Sequence, residues 1–174
     1  MMDARDNVPV IIGAAIAVVA QLVIAPNIAL FSAMPNFITV FCLLVAIVRP
    51  ATAGPVLPFA MGLIADFAVG TPVGSTSLLL VLFCAIVSRA FLVLNNDTVL
   101  VPLVLLAVAS LLIELLTGAF LLSFGMQADL GSAFLYRALP CGLYDCVVGL
   151  ILYPLAARFL VPSSPMGPGA PAHL

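Results

Sequence analysis

Three carboxylates lie in the middle of long apolar segments of this chain. They are Asp66, Glu114 and Asp145. An ionisable side chain inside a membrane-spanning segment normally faces the interior of the bundle or a partner, and it marks a site of function. These acids are the first candidates for chemistry, either as binders of a cation, a proton or a partner's polar group, or as polar contacts between helices.

The remainder of the chain is too apolar to fold in water. Of its 174 residues, 65% are hydrophobic and 7% are charged, whereas a soluble domain carries about 25% charged residues. So much apolar surface requires lipid as the solvent. The net charge of −2 and the lack of any Lys argue against nucleic acid as a partner and against specific capture of anionic lipids.

The chain offers few groups for catalysis. Its single histidine, His173, is the penultimate residue, which argues against His-based catalysis and His-ligated metals. The four cysteines lie in apolar segments without a CxxC pair and are interpreted as small buried hydrophobes. We therefore predict a non-enzymatic protein without cofactor or metal. An aspartyl-type site, in which two acids from different helices meet, is the one enzymatic alternative.

Six apolar segments predict an all-α, polytopic membrane protein with a bundle of six transmembrane helices over residues 1–161. The segments are Val8 to Ala25, Pro35 to Val48, Gly54 to Val69, Ser75 to Leu94, Val99 to Phe124 and Ala138 to Leu160. The second and third are short for a hydrocarbon core of about 30 Å, so neighbours shield them or the bilayer thins around them. Residues 162–174 are rich in Pro, Gly, Ser and Ala, which predicts a disordered cytoplasmic tail.

Arginine predicts the orientation of this bundle in the cytoplasmic membrane. With six spans and a cytoplasmic N-terminus, four arginines fall on the cytoplasmic side and only Arg137 falls outside; the four are Arg5, Arg49, Arg89 and Arg158. The positive-inside rule favours this arrangement over its inverse. Both termini are therefore predicted to be cytoplasmic.

Each of the three acids shares a helix face with small residues. The three faces are Gly62, Asp66 and Gly70; Ser110, Glu114, Thr117 and Gly118; and Gly142, Asp145 and Gly149. Glycine lets a neighbouring backbone approach closely, so such faces are typical of contacts between membrane helices. Two interpretations remain open: the acids hold the bundle together from inside, or they bind a cation, a proton or a partner. Arg137 lies about two turns before Asp145, too far for a direct pair within one helix, so it is expected to serve another helix.

Several stretches resemble the rod shape-determining protein MreD family. The second segment begins with Met34-Pro35-Asn36-Phe37 and ends at Arg49-Pro50. The central stretch, Gly62-Leu-Ile-Ala-Asp66-Phe-Ala-Val-Gly70-Thr-Pro72-Val-Gly74, is similar to the most recognisable motif of that family. Arg137-Ala-Leu-Pro140, followed by Tyr144-Asp145, resembles its last span.

This resemblance implies a non-enzymatic scaffold subunit of the bacterial cell-elongation complex, which synthesises peptidoglycan. Its expected partner is MreC, a single-span protein with a large extracytoplasmic domain, in a complex with MreB, RodA and a penicillin-binding transpeptidase. It also implies a fold similar to the substrate-binding subunits of energy-coupling-factor (ECF) vitamin transporters. The residues expected to bind a partner, or to form the polar core of the bundle, are Gly62, Asp66, Gly70, Glu114, Arg137 and Asp145.

The transporter likeness leaves one alternative function open, a membrane component that binds or transports a small solute. The chain has no Trp and only three Tyr, which is few for recognition of an aromatic vitamin. The scaffold is therefore the favoured hypothesis.

Overall fold

The computed structural model describes residues 7–29, 34–50, 54–94, 100–125, 131 and 139–160. Helices dominate these ranges. They are α1 (Val8–Asn27), α2 (Phe37–Val48), α3 (Val56–Val69), α4 (Ser75–Leu94), α5 (Leu100–Ser123) and α6 (Leu139–Leu160). The prediction of an all-α chain with six helical segments is confirmed for this part of the protein, and the helix limits lie within about two residues of those predicted.

Four of the six helices are long and apolar enough to cross a membrane: α1, α4, α5 and α6, with 20 to 24 residues each. The other two helices are shorter, with 12 residues in α2 and 14 in α3. Their length and composition are consistent with a polytopic membrane protein.

The centre of the bundle is α2. Every residue from Ile38 to Ile47 is buried, and α2 packs against each of the other five helices. A helix that is apolar on all sides belongs in the interior of a larger assembly. Of the two explanations for a short second segment, shielding by neighbours is therefore the one that the packing supports.

Hydrogen bonds fix the relative directions of the helices. The backbone N–H of Asn36, just before α2, bonds to Asp145 near the start of α6, and the Nε of Arg49, just after α2, bonds to the carbonyl of Leu160 at the end of α6. Thus α2 and α6 run parallel. Gln21, late in α1, bonds to the first residue of α2, so α1 runs antiparallel to it.

These directions give the bundle two different ends. The polar end holds the end of α1, the starts of α2 and α6 and the turn between α3 and α4. The terminal end holds Asn7 at the start of α1, Arg49 and Leu160. Arg49 is buried there although it is charged, with its guanidinium bonded to the last carbonyl of α6.

Three glycines allow helices to touch, as the faces predicted. A Cβ on Gly62 would lie 2.4 Å from the Cα of Ser77 in α4. In α6, a Cβ on Gly142 or Gly149 would meet the side chains of Leu111 or Leu106 in α5, at 2.9 and 2.5 Å. Gly62, Gly142 and Gly149 therefore lie at close contacts between helices of this chain.

The expectation of close approach was wrong for Gly70. No atom lies within 4 Å of a Cβ built there, and the residue has a φ of 73°. Gly70 ends α3 in the left-handed conformation, and its N–H bonds to the carbonyl of Asp66. Glycine is needed here for backbone conformation, because other residues are strained at positive φ.

We predict that Gly62→Ala destabilises the bundle. The new methyl group would overlap the backbone of α4, which cannot rotate away as a side chain can, so we expect a loss of about 2 kcal/mol. For a chain of this size, that loss lowers the thermal midpoint by about 4–8 °C.

The measurement is thermal unfolding of the purified protein in detergent. Gly54→Ala is the matched control, since a Cβ at Gly54 meets nothing within 4 Å and the residue has no positive φ. Equal midpoints for the two variants would contradict close packing of α3 on α4.

Candidate polar site at one end of the bundle

Asp66 joins the end of α3 to the start of α4. Its side chain is 1% exposed. Oδ1 accepts hydrogen bonds from Thr71 Oγ1 at 2.7 Å and from the N–H of Thr76 at 3.1 Å, and Oδ2 accepts one from the N–H of Gly74 at 2.8 Å. The hydroxyls of Ser75 and Ser77 lie farther away, at 3.5 Å. Both oxygens of this buried carboxylate therefore have partners.

The donors to Asp66 explain why an acid is tolerated at this position. Gly74 directly precedes α4 and Thr76 lies in its first turn, where backbone N–H groups have no partner inside the helix. A carboxylate placed there satisfies these donors and meets the positive end of the helix dipole. The motif from Gly62 to Gly74 thus covers the end of α3 and the turn into α4, and the acid of α3 caps the start of α4. We call this region the Asp66 joint.

A second polar cluster surrounds Asn36, which precedes α2. Its backbone N–H donates to Asp145 Oδ1 at 2.7 Å, and its Nδ2 donates to Glu114 Oε1 at 3.4 Å. Its own Oδ1 accepts from the N–H of Thr39 at 3.2 Å, so Asn36 also caps α2. One residue therefore connects α2, α5 and α6 and brings two of the predicted acids to the same place.

The end of α1 contributes Gln21 to this region. Gln21 Oε1 accepts from the N–H of Phe37 at 2.8 Å, which satisfies another free donor at the start of α2. Gln21 lies in a π-helical stretch, Ala20–Ile24, that ends just before Pro26. Proline has no N–H for the carbonyl four residues earlier, and such a local defect favours the wider π turn.

A small cavity of about 80 Å³ lies between the Asp66 joint and the Asn36 cluster. Its polar lining comes from α1, α5, the turn before α2 and the joint between α3 and α4, and consists of Gln21, Asn36, Thr71, Thr76, Glu114 and Thr117. The cavity has room for a few water molecules or a small ion, but sites for drug-sized organic ligands measure about 300–1,000 Å³.

Among the residues predicted from the sequence, Asp66, Glu114 and Asp145 all lie at the polar end, in two adjoining clusters. Gly62, Gly142 and Gly149 lie at helix contacts and Gly70 in the turn. Arg137 lies outside the described residues. In the described ranges no group of three or more His, Cys, Asp or Glu side chains is arranged to hold a metal.

Sequence reasoning missed the uncharged half of this site. The sequence does not single out Gln21, Thr71 or Thr76, because single amides and hydroxyls are common in membrane helices and carry little signal alone. Asn36 stands out only as part of a motif. Its position directly before an apolar segment is the N-cap pattern, and that pattern was the available clue.

Comparison with known families identifies the chain. The family model of the rod shape-determining protein MreD matches residues 5–161. The chain belongs to the MreD family. Neither the curated proteins nor the solved structures gave a match. The matched range includes all six helices and both polar clusters.

Membership in the MreD family gives this chain a role in rod-shape determination and cell elongation. MreD proteins are non-enzymatic morphogenetic membrane proteins, in agreement with the prediction from the sequence. Glu114 and Asp145 do meet around Asn36, as an aspartyl-type site would require, but family membership excludes that enzymatic alternative.

We predict that Asn36→Ala weakens the polar end of this MreD protein. The change removes the cap of α2 and the contact with Glu114, and loss of a cap with a partly buried contact costs about 1–2 kcal/mol. Thermal unfolding of the purified protein measures the effect.

Asn27→Ala is the matched control, because the Asn27 side chain is exposed and bonds only within its own helix, to the carbonyl of Val23. A destabilisation by Asn27→Ala as large as that by Asn36→Ala would remove the special role assigned to Asn36.

Proposed function

We propose that this MreD protein is the membrane scaffold subunit of the cell-elongation complex and binds MreC. Family membership over residues 5–161 carries the proposal. The proposed arrangement is six membrane crossings with both termini in the cytoplasm, residues 1–161 forming the bundle and residues 162–174 a tail. In this orientation the polar end lies on the extracytoplasmic side, where MreC has its large domain.

The hydrogen bonds support an internal role for the acids in this function. Asp66 is bonded to the turn and helix that follow it, and Asp145 to the start of α2. The acids of α3 and α6 thus set the arrangement of helices within the chain. In this proposal the partner does not contact the acids but binds a surface whose shape depends on that arrangement. We propose this positioning role for Gly62, Asp66, Gly70, Glu114 and Asp145, and extend it to Arg137.

A groove between α1 and α3 is the proposed contact surface for the membrane helix of MreC. It measures about 550 Å³, and its floor is formed by residues of α2 and α4 such as Cys42, Val45 and Cys84. Val56 and Ile11 line it and are strongly exposed, at 77% and 64%. In lipid, helices associate through shape and close packing, and a groove with apolar walls offers more contact to a helix than a convex surface does.

The alternative function, a small-solute binder of the ECF type, has no specific observation in its favour. The polar cavity of about 80 Å³ is too small for a vitamin-sized solute. The larger groove has almost entirely apolar walls, with Asn7 and Arg49 as the polar residues in its lining.

We predict that Asp66→Leu reduces co-purification of MreC by about tenfold or more. The substitution removes the acceptor for the first turn of α4 and leaves its buried donors unsatisfied, which shifts α3 against α4 and distorts the groove. Leu63→Ala is the control, one turn earlier on α3, and we expect it to retain most of the complex.

The amount of MreD in the membrane is measured in parallel, and Asp66→Asn provides a second variant that keeps the shape of the side chain. MreC capture by Asp66→Leu at the level of Leu63→Ala, with equal amounts of MreD, would count against the scaffold mechanism.

We also predict that a photocrosslinker at Val56 captures MreC in living membranes and that one at Ile151 does not. Ile151 is a fair comparison because it is 65% exposed but lies on α6, outside the groove. Crosslinking to MreC from Ile151 alone would place the partner on another face and refute the groove.

A further inference from the structure

Three buried polar atoms in the described part of the chain have no hydrogen-bond partner. They are Thr39 Oγ1 in α2, Ser110 Oγ in α5 and Asp145 Oδ2 in α6. The three residues are each 0% exposed. Buried polar atoms are nearly always bonded to protein, water or an ion, so three such atoms in one small bundle call for a common explanation.

The helix packing places the three residues that carry these atoms at similar levels along their helices. Gly142 and Gly149 of α6 pack against Leu111 and Leu106 of α5, so Asp145, between the two glycines, lies level with the segment that holds Ser110. Asn36 ties this level to α2, because its N–H bonds to Asp145 Oδ1 and its side chain caps Thr39. The three atoms therefore come from three helices that meet at the Asn36 cluster.

The hydroxyls of Ser110 and Thr39 differ from those of two other helical serines because they do not bond to a carbonyl of their own helix. Ser88 donates to the carbonyl of Ala85 at 3.1 Å, and Ser123 donates to that of Ala119 at 2.8 Å. Serine in a helix commonly satisfies itself in this way. Ser110 and Thr39 do not, which leaves their oxygens available to a common ligand.

The atoms available are all oxygens, and one of them belongs to a carboxylate. Oxygen donors favour hard cations, whereas thiolate and imidazole donors favour transition metals. A single buried carboxylate together with neutral hydroxyls balances one positive charge, and such balance is needed where the dielectric constant is low. Glu114 is connected to Asp145 through Asn36, which bonds to both acids. Asn36 and the half-buried Glu114 also line the cavity of about 80 Å³, which has room for water molecules that could complete the coordination.

Within the described ranges, the other acids at the polar end are Glu114, bonded to Asn36, and Asp66. Asp66 belongs to the neighbouring joint, where its oxygens already have donors. Arg49 and Arg158 lie at the terminal end, and Arg89 lies in the last third of α4, which ends there. Within the described ranges, no arginine is located at the polar end.

We propose that Asp145, Ser110 and Thr39 form a binding site for a small monovalent cation of the sodium type, completed by water from the adjoining cavity. The cation links α2, α5 and α6 and so stabilises the bundle. The site is independent of the scaffold role, since it is built within one chain and its test needs no partner.

The test is thermal unfolding of the purified protein at constant ionic strength, with NaCl replaced stepwise by N-methylglucamine chloride. A ligand that binds only the folded state raises the midpoint in a saturable way. We expect a rise of about 2–4 °C for the wild type. The concentration of Na⁺ that gives half of this effect should be about fivefold higher for Ser110→Ala, because one ligand is lost.

Ser88→Ala is the matched control, as it removes a hydroxyl of a largely buried serine that bonds to its own helix, and it should respond to Na⁺ like the wild type. Asp145→Asn should abolish the response; if that variant does not fold, the comparison of the two serine variants decides. The proposal is overturned by equal midpoints in the two salts, by an unchanged Na⁺ response of Ser110→Ala, or by a response to pH alone, which would indicate a proton or a bridging water instead.

Discussion

The contact between the Asp66 carboxylate and the first turn of α4 is the constraint on which much of this bundle depends. An acid in an apolar segment is tolerated only where its charge meets donors, and the start of a helix provides donors that have no other partner. Because Asp66 lies near the end of α3, satisfying it forces the chain to turn back at once. The same reversal places Gly62 against Ser77, so that electrostatics and close packing specify one register.

The second organising element is the central position of α2. A helix of 12 residues is too short to cross a bilayer comfortably by itself, and here it is surrounded by the other five. Its ends are then buried, and buried helix ends need partners. At the polar end Gln21, Asn36 and Asp145 supply them. At the other end Arg49 reaches the last carbonyl of α6, which connects the ends of two parallel helices.

The two fully buried acids are used differently. Asp66 has donors on both oxygens, whereas Asp145 has a donor on Oδ1 and none on Oδ2. The first arrangement is complete within the chain. The second arrangement leaves one carboxylate oxygen without a donor, and for that reason we place the proposed cation site there. Both belong to an MreD-family protein that exposes many large apolar side chains in its described part.

The sequence by itself determined the class of the protein, the six helical segments and their limits, because apolar length and the positions of Pro, Gly and Asn are local properties of the chain. It also identified the three acids, since a carboxylate among apolar residues stands out in any window of sequence.

Only the tertiary structure decided what those acids contact. Asp66 meets residues five to ten positions later, which a motif can suggest, but Asn36 meets Glu114 and Asp145, 78 and 109 residues away. The role of Gly70 was likewise decided in three dimensions: spacing put it on the packing face of Gly62, yet the backbone turns there and its φ is positive. Helical periodicity predicts which residues share a face only within one helix. Contacts between helices depend on the turns that join them and on the hydrogen bonds made by the backbone groups at their ends.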